Sequence, residues 1–213
     1  MMSKFLRYVG WALVIIAAVI GIARLTVIRW WRVPLGDPYL EASLAPTLRG
    51  GDWVILWRGT EPRDGALALC PEPKASGRYT IGRILGKPGD HMNLMNGGLL
   101  VNDRGFETEG SCDPFTVRDP GTGHEVRQSC GLEVIGKRTH LRGSTVLALP
   151  KPTEAELDVP SGQVYLISDN RQFPWDSREF GPVERATCAE TVVFRLVSKD
   201  GFFDVPNRLT VIR

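Results

Sequence analysis

The sequence predicts a mainly β domain carried behind a single N-terminal transmembrane helix. One observation is an uncharged, strongly apolar run near the N-terminus, from Tyr8 to Ala23. A second is a succession of short apolar segments, each closed by a glycine- or proline-rich turn. A third is that nothing beyond the apolar run shows convincing helical periodicity. Many short strands with turn signals between them indicate an all-β domain.

The apolar run holds roughly 16 residues, a little short of the ~20 that cross a bilayer. Leu25-Thr26-Val27-Ile28 extends it, and Arg24 can snorkel towards the interface. Trp30 and Trp31 stand where interfacial aromatics usually sit, flanked by Arg29 and Arg32. The span is placed at about residues 6–28, and residues 1–32 form the anchor. A cleaved signal peptide is the competing reading, but no clean small-x-small site precedes a plausible mature start. Lys4 and Arg7 lie on one side of the span and Arg24, Arg29 and Arg32 on the other, so charge leaves the orientation open.

Residues 33–213 form the β domain. Pro34, Gly36 and Pro38 break any helix and lead into a turn at Ser43. Strands are then expected at Trp53–Trp57, Ala66–Cys70, Tyr79–Leu85 and His91–Leu94. Asn96-Gly97-Gly98 is a hairpin turn with Leu99-Leu100-Val101 returning from it. Residues 102–158 read as an insertion or small β subdomain, with strands at Val134-Ile135 and Val146–Leu149. Gln163–Ser168 is a buried strand, Asp169 to Pro182 a polar loop, and Ala189–Ser198 a further strand.

Composition limits function. The 213 residues carry a net charge of +2 with both signs interspersed, which gives no basis for nucleic-acid binding. Among the four cysteines, Cys70, Cys112, Cys130 and Cys188, there is no CxxC pair, which argues against zinc. Neither a metal nor a cofactor is expected. Cys112 and Cys130 bracket a polar, glycine-rich loop and could close it as a disulfide, which would imply an oxidising compartment. Buried free thiols are the alternative.

The stretch Glu41-Ala42-Ser43-Leu44-Ala45-Pro46-Thr47-Leu48-Arg49-Gly50-Gly51-Asp52 organises the rest. It sets a small hydroxyl residue before a proline-threonine turn, close to the membrane. A serine held exposed on a tight turn suits a nucleophile, although such turns are common. Four segments in order then resemble the bacterial type I signal peptidases, the Ser/Lys membrane serine proteases. They are the Ser43 turn with Pro46-Thr47-Leu48 and Gly51-Asp52; Ile81 to Asp90, ending in Gly86-Lys87-Pro88-Gly89-Asp90; the hairpin Asn96 to Asn102; and Val159 to Arg171 with Asp176-Ser177-Arg178 and Phe180 to Val183.

The resemblance implies an antiparallel signal peptidase-like β domain on one anchor. It implies a single-pass protein of the inner membrane with its domain on the outer, periplasmic side. Its partners would be exported precursor proteins and the lipid bilayer. Trp30, Trp31, Trp53 and Trp57 would help the domain lie against lipid, or Trp53 and Trp57 are core residues. The family cuts exported precursors after small residues, with a serine nucleophile and a neutral, desolvated lysine as base.

Mapped onto this chain, Ser43 takes the nucleophile position. The base position falls on Gly82, which can remove no proton. The second oxyanion donor falls on Glu41, whose carboxylate donates nothing. The hydroxyl residue that contacts the lysine falls on Pro174. Lys87 is a candidate base, but it would lie on the opposite face of the strand and well over 10 Å further along. Asp169, Asn170, Arg171, Asp176 and Arg178 brace the site, with Asp176 paired to Arg178 or Arg171. Two functions follow: an endopeptidase with a relocated base, or a silent relative that binds exported proteins and assists their maturation or assembly.

Overall fold

The computed structural model describes residues 2–95, 98–136, 138–144 and 155–212. Helix α1 (Met2–Thr26) is apolar, exposed along its length and long enough to cross a membrane. It ends earlier than the sequence suggested. Ile28 already belongs to strand β1 (Ile28–Arg32), where backbone pairing with a neighbouring strand holds it extended. Trp31 is thereby turned into the core, while Trp30 stays exposed.

A second correction concerns residues 37–44. Helix α2 (Pro38–Leu44) occupies a segment expected to be a turn. Pro38 does not break it, because at the first helical position a proline lacks only an N–H that would have no partner. Asp37 caps it, its carboxylate accepting from Leu40 N at 3.1 Å. Ala45 and Pro46, joined by a cis peptide bond, end it. Leu40 and Leu44 are buried with Val33, Leu48, Val54, Leu56 and Ile81.

The strands that follow match the alternating and continuous apolar patterns. They are β2 (Trp53–Trp57), β3 (Leu67–Pro71), β4 (Tyr79–Gly86), β5 (His91–Met95) and β6 (Gly98–Val101). Residues Leu67 to Cys70 are all buried, as expected of a central strand covered on both faces. The long strands β7 (Glu107–Arg118) and β8 (Glu125–Ile135) pair with β9 (Arg138–Ser144) in a separate three-stranded sheet. Strand β10 (Ala155–Asp158) pairs with β5, whose other neighbour is β6. The hairpin tip at Asn96-Gly97 and the strand expected at Val146–Leu149 lie outside the described residues.

Strand β11 (Gln163–Ile167), the short helix α3 (Ser177–Phe180), β12 (Val183–Glu184), β13 (Glu190–Val197) and β14 (Thr210–Val211) complete the chain. The main sheet runs β1-β2-β13-β3-β4-β11-β12, with β14 attached to β13. Its pairings are antiparallel throughout. Cys112 and Cys130 are directly opposed across β7 and β8 and form a disulfide. A second disulfide, Cys70–Cys188, joins residues 118 apart in sequence.

Candidate functional site

Ser43 sits in the last turn of α2, which lies against β4. It is fully buried, not exposed, because Leu40, Ala42 and Leu44 draw the whole helix end into the core. Its hydroxyl donates to the carbonyl of Leu40 at 2.9 Å. This is the ordinary back-bond of a helical serine and leaves the oxygen unactivated. Among the described residues, no lysine amine or histidine ring is hydrogen-bonded to Ser43 Oγ.

Gly82 lies in the middle of β4, opposite Ala68 of β3. A Cβ there would stand 3.1 Å from Leu166 Cβ and 3.3 Å from backbone atoms of Ile167. Strand β11 therefore occupies the space in which a longer side chain would begin. Thr80, two residues earlier, donates its hydroxyl to the carbonyl of Trp175 at 2.8 Å. The Trp175 ring stacks on Tyr39 of α2 at 5.1 Å between centroids, and the Arg78 guanidinium lies 5.0 Å over it. Arg78 in turn pairs with the cap residue Asp37 at 2.8 Å. An aromatic and an arginine thus lie between α2 and the start of β4, beside Pro174.

Neither Lys87, the candidate base, nor His91, the first histidine after β4, bonds to the serine hydroxyl. Lys87 is half-exposed on its turn and pairs with Asp64 at 2.9 Å. The Asp64 hydrogen bond raises its pKa, the reverse of what a neutral amine base needs. His91 is exposed and paired with Asp158, which raises its pKa too. Glu41 accepts from Gly36 N at 3.0 Å and lies over Gly50, where a Cβ would fall 2.5 Å from its carboxylate oxygen.

The bracing residues form two buried systems. Asp169 receives Arg83 Nε at 2.6 Å and Nη2 at 3.1 Å, and the Thr47 hydroxyl as well. Burial pushes its carboxyl up most strongly of any single cause, but the Arg83 charge and hydrogen bonds, with His140 and Thr47, together hold it below the usual range. Asp176 behaves likewise: burial raises it, Arg178 lowers it further, and it also accepts from Ser168 N at 2.6 Å. The partner of Asp176 is therefore Arg178, and Arg171 goes elsewhere.

Arg171 pairs with Glu133 of β8, which also meets His140 at 3.1 Å and Arg142 at 3.2 Å. Burial raises Glu133, yet the His140 hydrogen bond and the Arg171 charge carry it down to about 2. Asn170 exchanges side-chain hydrogen bonds with Gln128 of β8, and its N–H donates to the Ser43 carbonyl at 3.0 Å. Gly143 of β9 completes the contact, since a Cβ there would lie 2.6 Å from the Phe115 ring and 3.3 Å from the Ala45 carbonyl. Glu133, Gln128 and His140 were not foreseen from the sequence. Their signal was slight: a glutamine and a glutamate within β8, and a histidine within the mostly polar β9.

A curved antiparallel β domain on an N-terminal apolar helix, with a serine at a helix end beside a loop of buried aspartate–arginine pairs, fits the scaffold of a membrane-anchored serine peptidase. The chain belongs to the signal peptidase, peptidase S26, family, whose model matches residues 6–197. It is 27% identical to signal peptidase I U of Bacillus subtilis (strain 168) over 154 residues, covering 69% of this chain and 67% of that protein. It is 24% identical to signal peptidase I V of the same organism over 147 residues, covering 66% of this chain and 73% of that protein. The single apolar helix and these relatives fit a membrane-anchored protein.

Proposed function

We propose that this chain is a catalytically degenerate signal peptidase relative that binds the cleavage region of exported proteins and assists their maturation or assembly. One observation carries the reading: the Ser43 hydroxyl is buried on its own helix carbonyl, and the base position is a glycine packed against β11. An unactivated serine is a poor nucleophile, and loss of the base lowers turnover by orders of magnitude. A binding role is supported by the groove of about 840 Å³ beside α2, lined by Glu41, Ala42, Ala45, Pro46, Phe115 and Val117 among others. The two disulfides support a location on the outer side of the membrane, where thiols oxidise.

A second reading is an endopeptidase that cuts after small residues, with Ser43 as nucleophile and a base brought in by the substrate or by movement of α2. Family membership and the retained Ser43 favour it. The experiment offers the purified full chain a precursor with a small-x-small site, beside Ser43→Ala. Retained precursor binding with no cleavage by either protein supports the binding role. Cleavage that disappears in Ser43→Ala establishes the peptidase and overturns it.

A further inference from the structure

Ser43 is covered by a short piece of the loop after β11 as well as by its own helix. Gln172, Phe173, Pro174 and Trp175 run between two fixed points. At one end Asn170 and Arg171 are buried, and Asn170 exchanges amide hydrogen bonds with Gln128 of β8. At the other end Asp176 is fully buried and bound to Arg178. Between these points the two aromatic rings go to different groups. Phe173 packs against the cluster of Ala42, Ala45 and Val117, and Trp175 against the cluster that holds Leu40, Leu44 and Ile81. Ser43 stands in α2 between residues of both clusters, and its carbonyl accepts from Asn170 N at 3.0 Å. The four residues therefore cross the end of α2 at the level of Ser43, with Pro174 between the two rings.

Side chains tie this strap down. The N–H groups of Gln172 and Phe173 donate to Asn170 Oδ1 at 3.1 Å and 3.3 Å, and that of Trp175 to Ser168 Oγ at 3.3 Å. Pro174 has no N–H to give. Among the described residues no sheet pairing includes the strap, so it can lift while β4 and β11 stay paired. Trp175 does most of the holding. Its ring lies 5.1 Å from Tyr39 and 6.5 Å from Phe180 between centroids, its carbonyl accepts the Thr80 hydroxyl, and the Arg78 guanidinium lies 5.0 Å over the ring. Arg78 is held by Asp37 at 2.8 Å and Glu72 at 3.4 Å, but its side chain is 44% exposed, and ion pairs this open to water add little. The indole N–H is buried and meets no acceptor among the described residues. Water would satisfy it once the strap lifts, which weakens the closed position. A cover made of few backbone bonds and an imperfectly satisfied ring belongs to the low-stability end of a fold.

We propose that residues 172–175 are a strap that closes over Ser43, with Trp175 as its latch, and that a polypeptide reaches Ser43 only when the strap lifts. This rests on Ser43 marking the binding region. It concerns access to the serine and not its reactivity, so it holds or fails apart from whether a precursor is bound or cut.

The four native cysteines all lie in the two disulfides, so Ser43→Cys introduces a single free thiol in the full chain. In detergent micelles its modification by a small cationic methanethiosulfonate is timed by mass spectrometry, alone and combined with Trp175→Ala, Trp175→Phe or Arg78→Ala. The introduced thiol is expected to react slowly in the otherwise native chain, and about tenfold or more faster with Trp175→Ala. Trp175→Phe keeps a ring on Tyr39 and should stay within about threefold of the native strap. Arg78→Ala loosens the clamp without touching the strap and carries the test if Trp175→Ala folds poorly. Equal slow rates in the native, Trp175→Ala and Arg78→Ala backgrounds overturn the proposal, because the helix alone would then bury the serine. So does a thiol that reacts in the native background as fast as in urea. An acceleration fully accounted for by a lowered urea midpoint is global unfolding and also counts against the strap.

Discussion

Placing a larger side chain at position 82 tests the reasoning about Gly82 most directly. A methyl group at position 82 would lie 3.1 Å from Leu166 Cβ and 3.3 Å from the Ile167 backbone. Both are inside the roughly 3.5–4.0 Å at which carbon atoms attract. Overpacking of this kind costs about 1–3 kcal/mol. Relief of glycine's extra chain entropy returns roughly 0.5–1 kcal/mol, so Gly82→Ala should lose about 1 kcal/mol. Gly82→Lys must also desolvate an amine. Holding it neutral at pH 7 means lowering its pKa by about three units, or about 4 kcal/mol. The sum, about 5 kcal/mol, approaches the whole stability of many domains. Urea unfolding in detergent micelles, followed by tryptophan fluorescence, measures both variants. The new amine would also lack a hydroxyl to orient it, since Pro174 offers none, so precursor cleavage should stay absent. A Gly82→Lys protein within about 1 kcal/mol of the parent, cutting a precursor in a Ser43-dependent manner, would refute the argument.

Two further outcomes follow from the bracing residues. Asp169→Asn should destabilise the domain by about 3–5 kcal/mol, because it strands the Arg83 charge in a site where both partners are 1% exposed; chemical denaturation checks this, and a loss below about 1 kcal/mol would mean that Arg83 relies on its other contacts. Acid should unfold the domain over a defined window. Asp169, Asp176 and Glu133 all have folded pKa values below their unfolded ones, so the folded state binds fewer protons and stability falls as pH drops. The loss begins near the unfolded carboxylate values and, for Glu133, runs down to about 2. A denaturant midpoint that stays constant between pH 5 and pH 3 would contradict these assignments.

Most of the sheet was legible because strands announce themselves locally. Trp53–Trp57 and Tyr79–Gly86 alternate or run apolar between turn residues, and glycine or proline closes each. The helix carrying Ser43 was misjudged for a local reason as well. Asp37-Pro38 reads as a break if proline is treated as a stop, and as a start if it stands at the first helical position behind a capping aspartate. Only the neighbours of Leu40 and Leu44 decide between these. The burial of Ser43 follows from the same packing and could not be read from the turn chemistry. Long-range pairings were hidden for a different reason. Nothing in the intervening chain says that Cys70 meets Cys188, 118 positions further on, whereas Cys112 and Cys130 sit at mirrored positions of one hairpin. Arg83 was the missed clue at the site: an arginine inside an apolar strand needs a buried partner, and Asp169 supplies it.

The pattern of what is kept and what is lost has a physical asymmetry behind it. Each brace is a buried ion pair, and removing one member leaves the other charged, desolvated and without its partner. Such a change endangers the fold whether or not the protein catalyses anything. The base is the opposite case. A lysine held neutral in a dry strand would be a standing strain on stability, whereas a glycine there carries none and lets β11 pack close to the strand. A hydroxyl at position 174 is useful only while there is an amine to orient. A chain maintained for binding and not for turnover would therefore lose the amine and its oriented hydroxyl first and the aspartate–arginine pairs last. On the proposed binding role, Gly82 and Pro174 beside intact Arg83–Asp169 and Asp176–Arg178 pairs are what that order would leave, and the serine would survive because a buried helical hydroxyl, bonded to Leu40, costs little to retain.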